Sequence, residues 1–151
     1  MDKKKKYYIE ISKKLQELLT KSEEIEKVLV ADLTGQLVGS AGCEKEDEDK
    51  TRMLAATFSA IIAAVRSAGA EGDLGDSDSI YVRYDDGIVH ISRIGEKGVL
   101  AIITTTNANI GAIRLLADRY RKRLAESVKL LADQMETLYF EDKVEENILN
   151  L

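Results

Sequence analysis

The 151 residues contain no proline, no tryptophan, one cysteine and one histidine. Without proline, nothing forces a break or kink inside a helix. A lone Cys43 excludes an intrachain disulfide and a multi-cysteine metal site, and suits a reducing compartment. Aromatic residues are only 5% of the chain, so the core has to be built from Leu, Ile, Val and Ala. Positive charge is also short, with a net charge of −5. Proteins that neutralise a phosphate backbone usually carry the opposite excess, so no nucleic-acid partner is expected. The basic residues cluster at Lys3–Lys6 and Arg114–Arg123, and both clusters read as solvated faces. The charged N-terminus lacks the apolar run of a signal peptide, and the longest purely apolar run falls short of a membrane span. The expectation is a cytoplasmic protein with no membrane insertion.

What is present is an ordinary globular composition, 44% hydrophobic and 32% charged, at a length that suits one core. Tyr8, Ile11, Leu15, Leu18 and Leu19 recur at helical spacing and predict a helix over Tyr7–Lys21. Lys27–Asp32 reads as a short buried strand. Thr34-Gly35 then turns the chain into a return strand, Gln36–Ser40, because glycine accepts a positive φ without steric cost. The acidic stretch Ala41–Lys50 is expected to be an exposed connection and lacks the ligand spacing of a calcium loop.

Thr51–Ala68 is the most informative segment. Leu54, Phe58, Ile61 and Val65 form one stripe expected to face a sheet. Arg52, Ala56, Ser59, Ala63 and Ser67 form the other side, where small residues replace the usual Glu and Lys. Such a face lets another surface approach closely. A helix packed inside a monomer can also be apolar all round. Gly69–Ser79 is a Gly- and Asp-rich loop without a phosphate-loop ending. Ile80–Asp85, Ile88–Ile94 and Val99–Thr105 predict a three-stranded meander around Asp86-Gly87 and Gly95–Gly98. Asn109 is a good N-cap for a long last helix whose apolar face runs from Ile110 to Leu138.

Catalytic sets are missing. His90 sits mid-strand and reads as a structural residue, Cys43 has no histidine near it in sequence, and Asp85-Asp86-Gly87 is a turn signal before it is a carboxylate pair. No cofactor, no metal site and no enzymatic activity are expected. The prediction is an α/β (α+β) chain of order α-β-β-α-β-β-β-α, with a five-stranded antiparallel sheet and helices on both faces. It divides into a charged tail at 1–6, one domain at 7–132 and a helical extension at 133–151.

That order resembles the roadblock/dynein light chain family. The stretches that carry the resemblance are Val28–Gly35 with Leu37-Val38, Ile80-Tyr81-Val82, Val99–Ile103 and Asn109–Arg114, with Asp32, Gly35, Gly111 and Arg114 at the family's motif positions. The long last helix is most like the bacterial and archaeal MglB-type regulators of small Ras-like GTPases. The resemblance implies a homodimer with a continuous sheet and a platform of two central helices. That platform would dock a small Ras-like GTPase and could stimulate hydrolysis without lending a catalytic arginine. The other reading is a structural light-chain or scaffold subunit. On this chain the partner-binding residues would be Arg52, Ala56, Ser59, Ala63 and Arg66. The dimer interface would take Ser79, Tyr81 and Arg83 on the strand and Ala60 and Ala64 on the helix.

Overall fold

The structure, a computed structural model, describes residues 2–43 and 47–150, and the side chains of all of these except 136–142. The acidic connection predicted at Ala41–Lys50 lies partly outside the described residues. The elements run α1 (Lys3–Leu19), β1 (Ile25–Asp32), β2 (Leu37–Ala41), α2 (Glu48–Glu71), β3 (Ser79–Tyr84), β4 (Gly87–Ile94), β5 (Gly98–Thr104) and α3 (Ile110–Leu149). This is the predicted order, with helices that reach further than their apolar stripes. α1 starts at Lys3, inside the stretch predicted as a tail, because the Asp2 carboxylate accepts from the Lys4 amide at 3.2 Å. α2 starts at Glu48, so Glu48 and Asp49 belong to its first turn, where negative charge meets the positive end of the helix dipole.

The five strands pair antiparallel in the order β2-β1-β5-β4-β3. Strand alternation sends Val28, Val30, Leu100 and Ile102 to one face and Leu29, Ala31, Val99 and Ala101 to the other. The first face is covered by α1 and α3 together. Ile11, Leu15 and Leu18 from α1 meet Ile113, Ala117, Tyr120, Leu124, Val128 and Leu131 from α3. The second face is covered by α2 alone, through Ala55, Phe58 and Ile62.

Turn chemistry fixes the β1–β2 hairpin. The Asp32 carboxylate accepts from the Thr34 amide (2.9 Å), the Thr34 hydroxyl (2.7 Å) and the Gln36 amide (3.0 Å), and Gly35 sits at φ 89°. At the other end of the hairpin, Gly42 has φ 80°, and a Cβ there would lie 2.3 Å from the Glu26 carbonyl oxygen. The two helices on the first face are clasped by a polar contact far apart in sequence. Glu17 accepts from the Tyr120 hydroxyl at 2.8 Å and from Arg123. These two hydrogen bonds hold the Glu17 carboxyl below its ordinary value. α3 has 40 residues, roughly 60 Å at 1.5 Å per residue, and projects well past the end of α1.

Two outcomes follow. Gly42→Ala should cost about 2–4 kcal/mol of unfolding free energy, from a left-handed backbone and a backbone clash together; a urea titration measures it, and a loss under about 0.5 kcal/mol would contradict the geometry. Glu17, whose folded value is lowered, adds stability above its ordinary value of 4.5 that fades as pH falls through the lowered one. Melting curves of wild type and Glu17→Gln should therefore differ at neutral pH and converge in acid.

Candidate partner interface

α2 carries apolar residues on both sides, and its rotation decides what they do. Thr51, Ala55, Phe58, Ser59 and Ile62 are buried. Of the stripe expected to face the sheet, only Phe58 is buried, while Leu54, Ile61 and Val65 are half-buried. At 100° per residue, the inward face is turned by roughly 70° from the predicted one. The cause is the contact with the β1–β2 hairpin. The Ser59 hydroxyl donates to the Asp32 carbonyl at 3.0 Å, and the Gly35 backbone approaches so closely that a Cβ on it would lie 3.2 Å from the Ala56 Cα. Ser59 is thus an inward-facing residue at 6% exposure, and its expected place in a partner surface is corrected.

The remaining predicted residues stay outside. Arg52, Ala56, Ala60, Ala63 and Ala64 are exposed, and Met53, next to Arg52, is 71% exposed. The outer face is centred on Ala60, so the alanines assigned to partner binding and those assigned to dimerisation share one strip. Its ends are charged but engaged. Arg52 pairs with Glu48 at 2.7 Å. Arg66 is forked onto Asp76 at 2.8 and 3.1 Å, which raises the arginine's affinity for its proton and lowers that of Asp76. Arg93, from the end of β4, reaches the same Asp76 at 3.3 Å and Asp78 at 3.5 Å. Arg66 is therefore part of a clasp that holds the loop before β3, not a free cation at the rim.

α2 covers β1, β2, β5 and β4 and leaves β3 at the margin of the sheet. β3 pairs with β4 only, so its other edge presents unpaired backbone groups. Its two faces are distinct. Ser79, Tyr81 and Arg83 oppose Ser92, His90 and Ile88 on the α3 side, and all three are exposed. On the α2 side, Ile80 and Val82 are half-buried and Tyr84 is 52% exposed. Together with half-buried Ile103, Ile61 and Leu54, they make an apolar ledge beside α2. Leu54 and Ile61 belong to the stripe read from sequence, and the alternation in Ser79–Tyr84 puts Ile80, Val82 and Tyr84 on one side, but their meeting in a ledge is not written in either segment.

By length and composition α2 is apolar enough to cross a membrane, although its longest purely apolar run, Ala60–Val65, is as short as the sequence analysis has it. Its most apolar residues, Leu54, Phe58, Ile61 and Ile62, pack on the sheet, and the outer strip adds alanines. His90 is buried at 3% exposure and stacks on Tyr81. Among the described residues, no three of His, Cys, Asp and Glu converge as metal ligands.

A family profile described as the Roadblock/LC7 domain matches residues 11–104, more than half of the chain. The chain belongs to the Roadblock/LC7 family. Solved structures agree in fold. The MglB protein of Myxococcus xanthus superposes with a TM-score of 0.72 at 19% identity, over 82% of this chain and 91% of that one. The gliding protein MglB of Thermus thermophilus gives 0.70 at 16%, over 82% and 91%. A Roadblock/LC7 domain from Streptomyces avermitilis gives 0.61 at 19%, over 85% and 97%. No curated protein matches the sequence. The roadblock match ends at Thr104, so α3 lies beyond it, although α3 supplies Ile113, Ala117, Tyr120, Leu124, Val128 and Leu131 to the core on its face.

The corrected rotation of α2 separates two substitutions. Ser59→Arg should lower stability by about 3 kcal/mol or more, because a charge would be driven under the hairpin. Ala63→Trp should change it by less than about 0.5 kcal/mol. Thermal melts followed by circular dichroism check both, and equal effects would put the rotation in error.

Proposed function

We propose that this roadblock chain is a homodimeric adaptor that binds and regulates a small Ras-like GTPase through the outer strip of α2. The observation that carries the reading is that α2 is apolar on a side the fold does not cover. Exposed alanines at 60, 63 and 64 and the exposed Met53 lie beside an apolar ledge and an unpaired strand edge. Contiguous apolar surface of this kind marks a protein interface. In a two-fold pairing of β3 edges, Ser79, Tyr81 and Arg83 of each copy meet their equivalents, and the interface is self-complementary. A second α2 then lies along the ledge, against Ala60 and Ala64, and Arg52, Ala56 and Ala63 of both copies face outward as one shelf. Arg52 stands at the rim, where a charge steers encounter more than it adds affinity. Arg66 is held by Asp76 and serves the loop. The resemblance to MglB-type regulators supplies the class of partner.

Light scattering at micromolar concentration should give twice the chain mass. A cognate Ras-like GTPase, loaded with GTP or GDP, should bind with a nucleotide preference. Ala63→Trp should weaken that binding at least tenfold, about 1.4 kcal/mol, while leaving the dimer intact. Arg52→Glu should mainly slow association and change its salt dependence. Unchanged affinity for Ala63→Trp would remove the shelf as the site, and binding indifferent to nucleotide would favour a scaffold subunit.

A further inference from the structure

We propose that His90 makes the β3 edge, and the self-association that runs through it, sensitive to acid: a neutral imidazole holds Tyr81 in place and a protonated one releases it. The second half of this rests on the edge-paired dimer proposed above.

His90 lies in β4 directly opposite Tyr81 in β3, and the two rings stack with centroids 6.2 Å apart and planes 19° from parallel. The histidine is only 3% exposed, and its Nδ1 is shielded from solvent without a hydrogen-bond partner. It lines a small, partly open cavity of about 10 Å³, room for one water at most, together with Tyr81, Ile88, Thr104, Ala108, Ile110 and Ile113. The Thr104 hydroxyl does not help, since it is directed to the carbonyl oxygens of Ile88 and Thr105 at 3.5 and 3.0 Å. The charged groups that act on the ring all come from α3. Asp118 favours the proton, and Arg114 and Arg121 oppose it. β3 contributes Tyr81 and, further along the same face, the exposed Arg83, and β5 contributes no charge.

A proton on this ring therefore gains a charge in an apolar layer, two guanidinium groups against one carboxylate, and no new acceptor. Desolvation is the largest effect and holds the imidazole below its ordinary value of 6.5. The sign follows. Above 6.5 both folded and unfolded chains hold a neutral ring and nothing is lost; as pH falls below 6.5 the unfolded chain takes the proton first, and stability declines until the folded value is passed.

The ring's way to water is also specific. Ile113 is held in the core by α3, Ile110 opens that helix, and Ile88 and Thr104 are buried and paired with each other at the ends of β4 and β5. Tyr81 is the yielding wall. It is 49% exposed and sits on a strand with one hydrogen-bonded neighbour. Displacing it opens a path to solvent and disturbs the strand that would pair with a second copy. Protonation is thus coupled to the edge and not to the α2 shelf.

The test compares wild type with His90→Phe, which keeps a stacking ring and removes the titration. The dimer dissociation constant is measured by analytical ultracentrifugation between about pH 7.5 and 5.5, with hydrogen exchange of the β3 amides in parallel. Wild type should lose roughly tenfold or more in affinity over that range, and His90→Phe should stay within about twofold. Equal pH dependence in the two proteins would overturn the proposal. If the chain is a monomer at about pH 7.5, the dimer reading fails by itself. Acid-dependent exchange at β3, present in wild type and absent in the variant, would then still support the role of His90, and its absence would overturn it. Because His90 is the only histidine, its ring protons give a single titration by NMR even if the variant does not fold. A midpoint at or above the ordinary value, with no shift of the Tyr81 ring, also overturns the proposal.

Discussion

Five strands spaced about 4.8 Å apart make a sheet roughly 20 Å wide, and one helix with its side chains is about 10 Å across. Two helices can cover one face of such a sheet, and a single helix cannot cover the other. α1 and α3 divide the first face between them, and the residues beneath them are buried almost without exception. On the second face α2 has to choose. It sits toward the β1–β2 hairpin, where Ser59 reaches the Asp32 carbonyl and Ala56 meets Gly35. That choice strands Ile80, Val82 and Tyr84 at the opposite margin. The exposed ledge beside α2 is the consequence of that shortage of cover, and it lies next to the unpaired β3 edge.

The parts of this fold that local chemistry writes are legible in the sequence. Asp32 and Gly35 announce the first hairpin, and the structure shows the Asp32 carboxylate accepting three hydrogen bonds there. Asn109 announces the start of α3, and its side chain accepts from the Ala112 amide at 3.0 Å. Strand alternation placed Tyr81 and Arg83 opposite Ile80 and Val82. The rotation of α2 was not readable, for a definite reason. Periodicity locates a buried face by contrast with a polar one. In α2 the outer side is alanine and the inner side includes Thr51, Ala55 and Ser59, so the contrast is nearly flat. A small inward residue was needed for close approach to the hairpin, and a small outward one looks the same in sequence.

Long-range polar contacts were equally silent. Glu17 and Tyr120 are 103 residues apart, and nothing in either neighbourhood points to the other. Arg66 and Arg93 converge on Asp76 only after α2, the loop and β4 are in place. Arg66 was readable as an exposed cation of α2, but its partner belongs to a loop that composition could describe only as polar. The clasp on Asp76 matters for the edge, because it fixes the approach of the chain into β3. Arg93 adds two further ties to the same loop, with Nε donating to the Ser77 carbonyl at 3.0 Å and the Asp78 carbonyl accepting from the Arg93 amide.

The alanines of α2 do not all carry the same information. Ala56 is small for an internal reason, since the Gly35 backbone lies against it. Ala55 is small because it is packed on the sheet. Neither says anything about a partner. Ala60, Ala63 and Ala64 are different, because they are exposed and solvent would admit Glu, Lys or Gln there at no loss of helix propensity worth counting. A solvated helix of a chain that is 32% charged would be expected to use such residues. Three exposed alanines within one turn and a half, next to an apolar ledge, leave a low surface that another surface can approach closely, as the proposed interface requires. Ala60, Ala63 and Ala64 therefore mark the proposed interface, and the alanines nearer the hairpin do not.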